Sequence, residues 1–116
     1  MPPERSWRLR IQDILDAVAK TQSYTTGMDR ETFLADQRTA DAVIRQLTIV
    51  GEAATHIPGK ISNRHPEIPW RMMRDFRNFV VHAYFGVDLK IVWDTIQNDL
   101  PPLEAQLRPL LATTDE

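Results

Sequence analysis

The sequence contains no cysteine. That absence excludes a disulfide scaffold, a thiolate zinc site, an iron–sulfur cluster and a cysteine nucleophile, and it is compatible with a reducing cytosol. Nowhere does the chain carry the roughly 18 consecutive apolar residues that a membrane-spanning helix requires. The first ten residues, MPPERSWRLR, lack the apolar h-region of a signal peptide. A soluble, cytoplasmic protein without a membrane partner is expected. A basic excess is also missing. Sixteen acidic residues outnumber 14 basic ones for a formal net charge of −2, whereas generic nucleic-acid-binding domains carry surplus positive charge. No internal repeat or low-complexity segment is found, and no stretch shows the sustained alternation of apolar and polar residues that marks strands.

What remains is an all-α pattern in a chain of 116 residues, long enough for one compact domain spanning 1–116. Trp7, Ile11, Ile14, Leu15 and Val18 draw one apolar stripe and predict a first helix over 4–21, giving way at 22–27. Asp29 is positioned to cap a long second helix, whose stripe runs through Phe33, Ala40, Val43, Ile44, Leu47, Val50 and Ala54 and ends near 56–59. Three prolines and a glycine make 58–69 a loop with at most a short helical turn. Pro69 fits the first position of a third helix, with Met72, Met73, Phe76, Phe79, Val80, Ala83 and Val87 on its apolar face and a break at Gly86. Asp88 caps a fourth helix carrying Leu89, Val92, Trp93 and Ile96. Pro101 and Pro102 predict a kink or restart over 98–100 and a fifth helix over 101–111. An antiparallel four- to five-helix bundle, with the second and third elements central, is the expected architecture.

Charge is distributed unevenly. Between Arg64 and His82 stand Arg64, His65, Arg71, Arg74, Arg77 and His82 against only Glu67 and Asp75. The stretch RNFVVHAY, residues 77–84, places an arginine, an amide, a histidine and a phenol in one segment. Such a set can perform phosphate chemistry without a metal or other cofactor. Arginine stays charged beside a developing phosphorane, histidine exchanges protons near neutral pH, and Asn78 can orient either group. RNA supplies its own nucleophile, the 2′-hydroxyl. On a regular helix Arg77 and His82 stand about 140° apart, so a distorted helix, the length of arginine or a second subunit must bring them together. Without such convergence, Arg77 is a structural ion-pair partner and His82 a half-buried helix histidine.

Arg77-x4-His82-x-Tyr84, followed by Phe85-Gly86-Val87-Asp88, resembles the motif of the HEPN superfamily, specifically its HepT toxins. The flanks agree in order: Arg45-x5-Gly51-Glu52-Ala53-Ala54, then Ile68-Pro69-Trp70, then Val92-Trp93 and Leu100-Pro101. The resemblance implies a HEPN-type helical homodimer acting as a metal-independent endoribonuclease toxin that leaves a 2′,3′-cyclic phosphate. Arg77 and His82 match the catalytic pair, with Asn78 in support. It further implies a minimal nucleotidyltransferase partner that silences the toxin by transferring AMP to Tyr84, where a bulky anion blocks phosphate.

Other residues have two readings each. Gly51 permits close helix approach, and Glu52 either orients His82 or Arg77 across the bundle or is an ordinary ion-paired surface residue. Arg71 and Arg74 either hold RNA phosphates or form a solvated basic face that docks an acidic partner. His56, His65 and His82 are nine and seventeen residues apart, spacings that match no metal-ligand signature. Trp70 and Trp93 sit on apolar stripes and read as core or dimer contacts. Two competing functions stand beside the nuclease: a non-catalytic helical module that docks a nucleotidyltransferase or its nucleotide, and a purely structural helical dimer.

Overall fold

The structure, a computed structural model, describes residues 6–78 and 88–112. Among them every regular element is helical. Helix α1 (Trp7–Tyr24) starts where the Ser6 hydroxyl accepts the Arg8 N–H at 3.1 Å. It runs three residues past the expected end, because Thr21 is fully buried and returns its hydroxyl to the Ala17 carbonyl at 2.9 Å. Gly27, at φ 78°, turns the chain in the left-handed region that glycine adopts without strain.

The long second helix expected from the apolar stripe is two helices. Helix α2 (Arg30–Leu34) and helix α3 (Gln37–Thr55) each begin at an aspartate, Asp29 and Asp36. Asp29 accepts the Thr32 N–H at 2.8 Å and Asp36 the Thr39 N–H at 3.0 Å, and both carboxylates also accept the threonine hydroxyl. A second cap so soon after the first offers the backbone a local alternative to continuing the helix. Because Phe33 and Ala40 are seven residues apart, the stripe stays in phase across the break and hides it. Phe33 is fully buried and meets Trp93 at 5.4 Å between ring centroids.

Residues 58–69 contain helix α4 (Gly59–Arg64), the short turn anticipated for that loop. Helix α5 (Trp70–Asp75) follows, with Pro69 just outside it as N-cap rather than at its first helical position. Asp88 caps helix α6 (Leu89–Asp94) by accepting the Lys90 N–H at 2.9 Å. The kink expected at the prolines is a π-helical turn, Thr95–Asp99, from which the chain continues directly into helix α7 (Leu100–Leu107). Pro101 and Pro102 cannot donate hydrogen bonds, and the wider turn, closed by Leu100 N–H to the Thr95 carbonyl, makes room for their rings. Pro109 tightens the end into a 3-10 turn, Arg108–Ala112.

Among the described elements, α1 and α3 share the largest interface, with α5 against α3, α7 and the 3-10 turn against α1, and α2 against both α3 and α6. Helix α1 is therefore as central as α3. Ile11, Ile14, Val18, Val43, Leu47, Val50, Met73, Leu100, Leu103 and Leu107 have almost no exposed surface and form one core. Each such side chain contributes on the order of 1.5–3 kcal/mol of transfer free energy.

The helix caps are testable through pH. Hydrogen bonds to Thr39, first to its backbone N–H and then to its hydroxyl, hold the Asp36 carboxyl below its ordinary pKa. A depressed folded-state pKa contributes stability that is complete above the unfolded value and is lost as pH falls through the folded one. Asp36→Ala is expected to lower the thermal midpoint by a few degrees at pH 7. That difference should hold down to about pH 5 and narrow below about pH 4, as melting curves of both proteins across pH will read.

Candidate active site

The site is built on the approach of α5 to α3. Residues Trp70, Met73 and Phe76 follow one another at intervals of three and are buried at 6%, 0% and 4% exposure, so they anchor one side of α5 to the core. The Trp70 indole also donates to the His65 carbonyl at 3.0 Å, fixing the loop that leads into the helix. With that face inward, Arg71, Arg77 and Asn78 are exposed and Arg74 is half-buried.

Gly51 makes the approach possible. A Cβ on it would stand 2.7 Å from the Arg77 nitrogen, 2.9 Å from the Met73 carbonyl oxygen and 3.2 Å from the Arg74 carbonyl oxygen. All three are backbone atoms, which cannot swing aside as a side chain can. Ala53 and Ala54, buried beside it, keep this part of α3 narrow. The close helix approach read from Gly51 is thus present, and the backbone it receives is that of Arg77.

Regular α-helical structure stops at Asp75. The Phe76 N–H bonds the Met73 carbonyl at 3.1 Å, three residues back, Phe76 and Arg77 form a turn, and helical structure resumes at Asn78. Arg77 thus stands in a turn at the end of α5, and its placement relative to His82 falls outside the described residues. Both His82 and Tyr84 lie outside the described residues, as does the rest of 79–87. The expected Asn78–His82 contact falls there too.

Glu52 follows Gly51 but is exposed, and its carboxylate lies 3.6 Å from His56 Nε2, one turn along α3. His65 Nδ1 is 3.6 Å from Glu67 in the same manner. Among the described residues no group of three or more histidine or acidic side chains is placed to hold a metal ion. Trp70 is core, and Trp93 is half-buried against Phe33.

Arg71 and Arg74 come together in a shallow groove of about 400 Å³ between α4 and α5. Its walls include Ser62 and Asn63 of α4, with Pro66, Ile68, Pro69 and Trp70 beneath. Sequence reasoning missed Ser62 and Asn63. Their only signal was the short helix itself, whose polar residues precede the proline-rich turn by a few positions and gain meaning only when α4 folds beside α5.

Comparison with known proteins places this geometry in context. The family model described as "HepT-like: Ribonuclease HepT-like" matches residues 14–110. A Thermococcus cleftensis protein named "Probable ribonuclease HepT" is 41% identical over 107 residues, covering 92% of this chain and 97% of that protein. Two Methanocaldococcus jannaschii proteins are also similar. "Putative RNase MJ0127" is 35% identical over 85% of this chain and 82% of its own length, and "Putative RNase MJ0125" is 32% identical over 98% of each. No solved structure gives a significant match.

The Gly51 contact yields a clear expectation. Gly51→Ala must push α3 and α5 apart and should cost about 1–3 kcal/mol, the range typical of overpacking. Gly59→Ala, whose added methyl meets nothing within 4 Å, should leave stability unchanged or slightly raised. Urea unfolding of the two variants side by side separates the effect of crowding from that of adding a methyl group.

Proposed function

Because the chain belongs to the HepT-like ribonuclease family of the HEPN superfamily, we propose that it is a metal-independent endoribonuclease, the toxin of a toxin–antitoxin pair, with Arg77 and His82 as its catalytic residues. Arg77 carries the reading. It presents an exposed guanidinium from a backbone clamped against Gly51, within the segment that the family model matches. A fixed backbone beneath a charged, outward side chain is the arrangement that electrostatic stabilisation of a transition state requires.

The substrate is RNA, and its 2′-hydroxyl is the nucleophile. That oxygen bonds to the adjacent phosphorus, the bond from phosphorus to the 5′-oxygen of the next nucleotide breaks, and the products are a 2′,3′-cyclic phosphate and a 5′-hydroxyl end. One proton leaves the attacking hydroxyl and one reaches the departing oxygen. His82 exchanges protons in this step, while the Arg77 guanidinium binds the non-bridging oxygens as negative charge gathers on them. Asn78, exposed beside Arg77, orients the phosphate or the imidazole. Pairing of two chains as a homodimer would bring a second motif segment to the site.

Regulation follows from Tyr84, two residues after His82. A partner minimal nucleotidyltransferase transfers AMP from ATP to its phenol, the phenolic oxygen bonding to the α-phosphorus as pyrophosphate leaves and the phenolic proton is lost, and the added phosphodiester opposes the RNA phosphate by bulk and by charge.

Incubation of the purified protein with total tRNA in EDTA, followed by mapping of the new ends, tests the reading. Wild type should generate cyclic phosphate ends, and Arg77→Ala and His82→Ala should each lose at least about 100-fold in rate while keeping the wild-type unfolding midpoint. Undiminished cleavage by either variant overturns the catalytic assignment. Absence of cleavage by folded wild type free of AMP on Tyr84 replaces the nuclease with the docking module. Tyr84→Phe should cleave normally and accept no AMP from the partner, and mass spectrometry finding AMP elsewhere on that variant overturns the role of Tyr84.

A further inference from the structure

The groove between α4 and α5 is not used by the catalytic chemistry, yet its walls combine two arginines with an amide and a hydroxyl. We propose that it is a subsite for one unpaired nucleotide of the RNA strand flanking the scissile phosphate, with Arg71 and Arg74 on the phosphate and Asn63 and Ser62 as hydrogen-bonding groups. The proposal rests on the nuclease reading, because it takes Arg77 as the place where the strand is cut.

Three observations support it. First, the volume fits: about 400 Å³ accommodates a single nucleotide, while a duplex is far too wide for it. Second, the lining has the right chemistry. Pro66 and Pro69 give an apolar surface on which a base can lie, buried Ile68 contributes only an edge, and the guanidinium forks of Arg71 and Arg74 match phosphate oxygens. Trp70 contributes an edge to the floor but no stacking platform, since it is buried and its N–H is held by His65. Third, the groove and Arg77 are linked along the chain: Arg74 lines the groove and precedes Arg77 by three residues. Within α5 the rise from Arg71 to Arg74 is roughly 4.5 Å at about 1.5 Å per residue, so their extended guanidinium groups can reach neighbouring phosphates of one strand.

The charge around the groove agrees. Over residues 60–78 the bases are Lys60, Arg64, Arg71, Arg74 and Arg77 and the acids are Glu67 and Asp75, a formal +3 within a chain whose total is −2.

Fluorescence anisotropy with a labelled 12-nucleotide, fully 2′-O-methylated single strand tests the subsite, since that probe binds but cannot be cleaved. Arg71→Ala and Arg74→Ala should each weaken binding about threefold to tenfold and reduce the slope of log affinity against log salt by about 0.7. Arg74→Lys should restore most of the slope, because it restores the charge. Asn63→Ala should weaken binding with the slope unchanged, as it removes a hydrogen bond and no charge. In cleavage assays the arginine variants should raise KM and leave kcat near wild type. If wild type cuts tRNA and the arginine variants bind the probe with unchanged affinity and slope, the subsite is wrong and the nuclease reading stands. Tighter binding of the annealed duplex than of the single strand also overturns the one-nucleotide groove. If wild type neither cuts tRNA nor binds the probe, nuclease and subsite fall together.

Discussion

Two backbones touch at Gly51, and the geometry of the candidate site descends from that contact. A helix normally keeps its neighbour about 8–10 Å away because side chains intervene. Here α3 offers no Cβ, and the Met73 carbonyl and Arg77 nitrogen of the opposing segment lie within van der Waals reach of its surface. Once α5 is that close, its orientation is settled by Trp70, Met73 and Phe76, which enter the core and leave the arginines outside. The core thus fixes the direction of groups it does not contain. For a reaction that depends on a charge held where charge develops, fixing Arg77 through its backbone removes much of the reorganisation that a free surface arginine would require.

The rest of the bundle keeps α3 and α5 in place by local devices. Aspartates at 29, 36 and 88 each accept an N–H that the start of a helix leaves without a backbone partner, so the chain changes direction with those donors paired. The wide turn at Thr95–Asp99 lets the apolar stripe of α6 pass two prolines and continue through Leu100, Leu103 and Leu107 into α7. That continuity seats α7 against α1, and α1 in turn backs α3. The Phe33–Trp93 contact joins the first half of the chain to the second.

Helical periodicity revealed the all-α class and most of the core, because burial selects residues and burial is periodic. Boundaries set by hydrogen bonds were harder to see. Asp36 looks like a surface residue in a helix until its carboxylate is found on the Thr39 N–H, and the seven-residue phase from Phe33 to Ala40 conceals the break. Pro101 and Pro102 announced a disturbance, but sequence could not distinguish a restart from a π turn, since both relieve the same missing donors. At the site the contrast is sharper. Arg77, Asn78, His82 and Tyr84 stand out as a linear motif, and Gly51 was readable as a close-approach residue. The groove was not, because Asn63 and Arg71 are eight positions apart on different helices and become neighbours only through the fold of the proline-rich turn.

Charge distribution explains how an acidic protein can handle a polyanion. Outside residues 60–78 the chain has nine bases and 14 acids, a formal −5, whereas the segment carrying the groove and Arg77 has five bases and two acids. At physiological ionic strength these fields decay over about 8 Å, less than the width of the domain, so an approaching RNA strand senses the two regions separately. The proposed subsite thus lies in the segment whose formal charge favours a polyanion, while the formal charge of the rest of the chain opposes one. Total charge would have argued against nucleic acid, but the relevant quantity is the potential within one screening length of the groove. On the proposed subsite reading, this modest local surplus selects the face on which RNA lands.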